Sequence, residues 1–241
     1  MGNMLFTLLQ ADTLANAVQA APVPQEMSYS LIDMAMKGGW LMLVLLVLSV
    51  IAIYIFGKKL VQINRASKVD KNFIDDIRDY IHDGKTKSAI TLCGKYDNPT
   101  ARLVEKGLER IGRPLSDIQT AVENTGNLEV ARLEKGLPFL AAIAGGAPMI
   151  GFLGTVMGMV RAFFNMANAG NNIDITLLSG GIYEAMITTV GGLIVGILAY
   201  FGYNFLTSRI SDVVFTMENA TIEFMDVLND PESAAIVKSE E

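Results

Sequence analysis

Four side chains in this sequence could pass a proton or a small cation along a path: Thr155, Glu184, Thr188 and Thr189. Glu184 is the acid of the set, and it opens a run of 24 residues without a charge, Ala185–Ser208. Ionisable groups beside such runs are costly and tend to face a cavity or a partner; the competing reading is a cap at headgroup level. Thr155 is the only hydroxyl in a second charge-free run, the 25 residues Gly136–Val160. It could line a pore, or it could bond its own helix or glue two helices together. At about 100° per residue, Thr188, Gly191 and Val195 fall within about 40° of Glu184 on a helix, whereas Thr189 lies about 140° away. Helical geometry therefore pairs Thr188 with Glu184. Hydroxyls can relay a proton but cannot store one, so a relay needs a second acid from elsewhere.

Other chemistries find no support. His82 is the only histidine and Cys93 the only cysteine, which excludes an intrachain disulfide and leaves no Cys/His cluster for a classical zinc site. His82 reads as an exposed residue before the Asp83-Gly84 turn, and Cys93 as a small buried residue of a helix. No phosphate-cradling loop or dinucleotide fingerprint is present, no nucleophile–base pair suggests an enzyme, and nothing points to nucleic acid. No metal or cofactor is expected.

The elements that must position these residues are membrane helices. The chain of 241 residues is 51% hydrophobic, and its apolar residues come in blocks. Each of the two charge-free runs can cross a hydrocarbon core of about 30 Å. A third lies between Lys37 and Lys58, 20 residues without a charge, with Trp40 as an interfacial anchor and a Leu/Val/Ile-rich surface suited to lipid. Within the central pair, Gly151, Gly154 and Gly158 on one helix and Gly191 and Gly192 on the other allow close backbone approach. Gly145 and Gly146 lie on the same span as Gly151. Arg161 sits where it can snorkel to the headgroups.

Residues 58–135 hold 15 of the 19 Lys and Arg residues. The positive-inside bias places this region in the cytoplasm and the N-terminus outside. The expected fold is an all-α polytopic membrane protein with three transmembrane helices, N-out and C-in, and long helical cytoplasmic extensions. Its parts are an external arm over 1–36, spans at 37–57, 137–166 and 184–206, a cytoplasmic helical region at 58–136, a short external loop at 167–183, and a cytoplasmic helix with an acidic tail at 207–241. The arm reads as amphipathic or disordered rather than as a signal peptide, because no Lys or Arg precedes Lys37.

In the cytoplasmic region, Asn98-Pro99 predicts a helix start with an N-cap and proline at the first position. Ser116-x-x-Gln119 predicts another through a capping box. From there Ile118, Ala121, Val122, Thr125 and Leu128 share one face, and the helix is expected to continue into the second span, bent at Pro138 and Pro148. A second stripe, Val213, Met217, Ala220, Phe224 and Leu228, follows the third span and stops at Asn229-Asp230-Pro231. Such stripes need neighbours, from this chain or from a ring of copies.

The run A-P-M-I-G-F-L-G-T-V-M-G-M-V-R-A-F at 147–163 resembles the second membrane helix of the ExbB/TolQ/MotA proton-channel family. The run G-I-Y-E-A-M-I-T-T-V-G-G-L-I-V-G-I at 181–197, followed by Tyr203-Asn204, resembles its third. The resemblance covers about residues 30–228 and is loose in the cytoplasmic loop. It implies a homopentameric ring in the bacterial inner membrane, around the helices of an ExbD-like or TolR-like single-span partner that bears a membrane aspartate. It further implies that proton motive force is converted into mechanical work, passed to a TonB-like protein in the ExbB branch. By motif position it matches Thr155, Glu184 and Thr189 to the family's polar pore residues, choosing Thr189 where geometry chose Thr188. The sequence departs from the pattern at Leu198, in G-I-L-A, where ExbB members often carry proline. The arm before Trp40 favours ExbB over TolQ, and the absence of a fourth span disfavours motility. A reading from another class is a non-conducting scaffold whose glycines and threonines only pack helices.

Overall fold

The computed structural model describes residues 39–68, 70, 72–168 and 175–230; the expected N-terminal arm and acidic tail lie outside them. The described residues are helical throughout their regular structure and contain no strand. In chain order the helices are α1 (Gly39–Ala66), α2 (Phe73–His82), α3 (Thr86–Cys93), α4 (Pro99–Leu108), α5 (Leu115–Glu134), α6 (Leu137–Asn168) and α7 (Ile175–Asn229). Three helical stretches are long and apolar enough to cross a membrane, carried by α1, α6 and α7.

The helices outrun the spans. A charge marks where lipid ends, not where backbone hydrogen bonding ends. Accordingly α1 continues past Lys58 to Ala66, α6 reaches Asn168, and α7 begins at Ile175, ahead of Glu184. With 55 residues, α7 is about 80 Å long at about 1.5 Å per residue. Its two halves therefore serve two cores.

In the membrane half, α6 and α7 pack antiparallel through small residues. A methyl group on Gly192 would lie 2.6 Å from the Ala147 carbonyl oxygen and 2.9 Å from the Gly151 Cα, and one on Gly158 would lie 2.7 Å from the Ala185 Cβ. Glycine is what permits this approach. Helix α1 runs parallel to α7, with Met42 against Gly191 and Phe56 against Gly202. Its other face, including Leu43, Leu46, Val50 and Tyr54, is exposed apolar surface, as suits a lipid-facing helix.

The second core lies beyond the membrane. Phe73, Ile77 and Ile81 of α2, Val104 of α4 and Val122 of α5 are buried around Val213, Met217 and Phe224 of α7. The whole expected stripe from Val213 to Leu228 is buried. Phe224 lies so close to Gly107 of α4 that no side chain fits there. Asn98 caps α4 as its sequence suggests: its side chain accepts from the Ala101 amide at 2.7 Å, with Pro99 first in the helix.

Three expectations for α5 are corrected. The helix does not run on into the second span; it stops at Glu134, and α6 starts afresh at Leu137. Gly136 adopts φ +100° between them, and glycine followed by proline is a helix-stop signal. Ser116 is not a capping residue: α5 begins at Leu115 after Pro114, without a side-chain cap, and Gln119 bonds Glu123 instead. The buried stripe also turns away from Leu128, which is 63% exposed, toward Glu129 and Leu133. The cause is a polar cluster in which buried Glu129 accepts from Arg102 at 2.8 Å and from Arg132.

Candidate functional site: hydroxyls and an acid on the α6–α7 pair

Thr155 and Thr189 meet across the α6–α7 contact, with their hydroxyl oxygens 3.1 Å apart. Two carbonyls compete for the same protons. Thr155 is placed to donate to the Phe152 carbonyl at 2.7 Å, and Thr189 to the Gly151 carbonyl of the facing helix at 2.9 Å. Each hydroxyl has one proton. Three hydrogen bonds therefore share two protons, so one is always unmade and either hydroxyl can rotate. Glycine at 151 brings α7 close enough for its carbonyl to take part, because a methyl there would lie 2.9 Å from the Thr188 carbonyl oxygen.

Thr188 is differently placed. It is 2% exposed, donates to the Ala185 carbonyl of its own helix at 2.7 Å, and presses its hydroxyl against Gly154. With Glu184 it lines a small, partly open cavity of about 20 Å³, bordered by Trp40, Gly154, Gly158 and Arg161. That volume admits about one water molecule. Glu184 is half-buried, and its carboxylate lies against Gly39, the first residue of α1, whose φ is +65°.

Both sequence-based pairings thus have a structural counterpart. Helical geometry joined Thr188 to Glu184, and these two share the cavity. Motif position selected Thr189, and it pairs with Thr155. Glu184 and the Thr155–Thr189 pair occupy different faces of α7, separated along the axis by about 7.5 Å for five residues at about 1.5 Å each. The hydroxyl pair is half-buried and flanked by exposed Phe152, Val156 and Val190. One chain by itself does not enclose it.

The packing glycines divide by partner. Gly151, Gly154, Gly158 and Gly192 serve the α6–α7 contact, whereas Gly191 receives Met42 of α1. Gly145 and Gly146 face open space. Gly196 accommodates the ring of Pro148, which comes within 2.5 Å of where its Cβ would be. Leu198, at the position of the departure, is 65% exposed on an unbroken α7. Arg161 is exposed and borders the Glu184 cavity. His82 ends α2 beside Gly84 (φ +67°), half-buried rather than exposed.

Sequence reasoning missed the junction beneath the membrane helices. Lys59 is buried; its ammonium donates to the Arg132 carbonyl at 3.2 Å, the Leu133 carbonyl at 3.0 Å and Gln62 at 3.1 Å. It thereby satisfies the open carbonyls at the end of α5. The available signal was Gly136-x-Pro138, which marks a helix end in need of such partners.

The sequence pattern of the MotA/TolQ/ExbB proton channel family matches residues 95–219, more than half of the chain. The chain belongs to this family. The match takes in α4, α5, α6 and most of α7, and so includes the hydroxyl pair and Glu184. Among MotA/TolQ/ExbB relatives, a biopolymer transport protein ExbB homolog of Methanothermobacter thermautotrophicus is 28% identical over 193 residues, 78% of this chain and 67% of that one. The Tol-Pal system protein TolQ of Haemophilus influenzae is 36% identical over 147 residues, 61% of this chain and 64% of its own. Biopolymer transport protein ExbB of Neisseria meningitidis is 26% identical over 176 residues, 67% and 78% respectively. ExbB and TolQ relatives thus both appear, and identity alone does not divide the two roles.

Proposed function

We propose that this chain is a non-enzymatic stator subunit of a bacterial inner-membrane proton channel. It converts proton motive force into mechanical work that energises TonB-dependent outer-membrane transport. The reading rests on one observation: the Thr155–Thr189 pair holds more acceptors than protons on a membrane helix surface that the chain does not close. Reorientable hydroxyls can pass a proton, and an unclosed polar pair within lipid needs protein or water beside it. Copies of this chain arranged as a homopentamer, around an ExbD-like single-span partner carrying a carboxylate, would supply both the enclosure and the missing proton-storing group. Glu184 would serve as the outer station, in a topology with the N-terminus outside and residues 58–136 in the cytoplasm.

The energetics fit a multi-proton device. A charge crossing about 100 mV yields about 2.3 kcal/mol, whereas displacing a folded plug opposes about 5–15 kcal/mol, so several protons act per event. The TolQ relative, at 36% identity, supports a second reading in which the same device maintains the envelope.

The test is to express the chain with and without a small single-span partner encoded beside it, and to measure native mass and deletion-strain phenotypes. A pentamer that captures the partner and restores growth under iron or cobalamin limitation is expected. Restored detergent resistance alone would favour the TolQ role. A monomer or dimer that ignores the partner in several detergents would overturn the ring.

A further inference from the structure

Outside the hydroxyl site, α1 and α7 leave an apolar groove of about 420 Å³ between them. Ile53 and Phe56 of α1 and Leu198, Phe201 and Phe205 of α7 form its walls. Four of these, Ile53, Leu198, Phe201 and Phe205, stand 45–68% exposed. From Val195 to Phe205 the groove follows α7 for about 15 Å at about 1.5 Å per residue, which is about the depth of one leaflet of a 30 Å hydrocarbon core.

One end of the groove is basic. Phe56 and Phe205 meet there with ring centroids 6.3 Å apart, and the Arg209 guanidinium lies over the Phe205 ring, 5.4 Å from its centre. Lys58 and Arg209 are the first charges after the uncharged runs of α1 and α7. The Phe56–Phe205 contact therefore brings both chain segments to the headgroup boundary at the same level. Arg209 is only loosely paired, 4.0 Å from an exposed Asp212, and Lys58 forms no ion pair among the described residues.

We propose that this groove is a binding site for one anionic phospholipid, with an acyl chain between α1 and α7 and the phosphate held by Arg209. A slot of leaflet depth, apolar along its length and cationic at its boundary end, matches that ligand in both chemistry and dimension. Basic residues set between membrane helices at headgroup level select anionic lipids in this way, and the planar guanidinium suits a phosphate. The inference requires only that α1 and α7 span a membrane, and it stands whether or not the assembly conducts protons.

The experiment uses the full chain with its only tryptophan removed (Trp40→Phe) and a reporter placed in the groove (Leu198→Trp). Phe201→Trp serves as a second, aromatic-for-aromatic reporter in case the first disturbs folding. Each is reconstituted into phosphatidylcholine vesicles containing brominated phosphatidylglycerol or brominated phosphatidylcholine. Quenching of the reporter per mole of brominated lipid should favour phosphatidylglycerol by about fivefold, and Arg209→Gln should abolish that preference. A control tryptophan at Tyr54, on the opposite face of α1 and 66% exposed, should show little preference. Equal quenching by the two lipids in the groove would reduce the site to ordinary bilayer contact and overturn the proposal. Protection from both lipids, together with a multimer by sedimentation, would show a second copy of the chain in the groove and overturn it equally.

Discussion

Replacing Gly192 by alanine should drive α6 and α7 apart, whereas the same change at Gly57 should be harmless. The new methyl at 192 would sit 2.6 Å from the Ala147 carbonyl oxygen and 3.1 Å from the Gly151 nitrogen, both backbone atoms that cannot swing away. Restoring ordinary contact at about 3.4 Å requires the helices to separate locally by about 0.8 Å. The Thr155–Thr189 distance would then rise from 3.1 Å to about 3.9 Å, beyond hydrogen-bonding range. At Gly57 nothing lies within 4 Å, so alanine gains only helix propensity, about 1 kcal/mol. Both variants share that gain, and the difference between them isolates the packing cost of about 1–3 kcal/mol. For a chain of this size that is about 2–12 °C in thermal midpoint. Thermal unfolding of the two purified variants in one detergent measures it. Equal midpoints would refute the proposed register of the α6–α7 contact.

Cys93 is 1% exposed, and burial pushes its thiol up to about 12 from 9.0. A maleimide at pH 8 should therefore label it only after denaturation; rapid labelling of the native protein would place it elsewhere. A thiol whose pKa is raised by folding stabilises the protein fully below about pH 9, and that contribution is lost as pH rises toward about 12. Alkaline destabilisation should accordingly be smaller in Cys93→Ala when each variant is compared with itself at pH 7. Lys59→Met leaves the Arg132 and Leu133 carbonyls without their donor and should cost about 1–3 kcal/mol, read as a lower denaturation midpoint; an unchanged midpoint would mean that water replaces the ammonium at no cost. Glu129→Gln, which removes the charge between Arg102 and Arg132, should destabilise the second core, the one around Phe224, by a similar amount, measured by protease resistance of the α4–α5 region.

The membrane helices were legible because their signal is local. Runs without a charge, bounded by Lys37 and Lys58, Lys135 and Arg161, and Glu184 and Arg209, mark the spans directly. The stripe from Val213 to Phe224 was legible for the same reason, since one-sided burial leaves a helical period. The break at Gly136 escaped because apolar periodicity runs through it, and only the stop chemistry of glycine and proline shows that α5 ends. The buried Glu129 and Lys59 escaped for a different reason. Beyond Arg132 and Gln62, three residues from them, their partners lie 27 and 73 or more residues away, and nothing local in the sequence encodes those distant pairings. The hydroxyl site was half legible. Rotation about one helix can say which residues share a face, and it grouped Thr188 with Glu184, which border one cavity. It cannot say which face meets a neighbouring helix, and that decides why Thr189 rather than Thr188 joins Thr155.

In the proposed mechanism protons pass along the Thr155–Thr189 hydroxyls and Glu184. The most direct measurement is proton flux into vesicles holding the assembled complex, under a fixed potassium-diffusion potential and with pH reported by an internal dye. Thr155→Val and Thr189→Val keep side-chain shape but delete the shared protons, so each should reduce flux by at least about tenfold while native mass is unchanged. Thr188→Val, whose hydroxyl donates to the Ala185 carbonyl of its own helix, should retain most of the flux. Undiminished flux in Thr155→Val and Thr189→Val, in complexes of normal mass, would show that protons take another route.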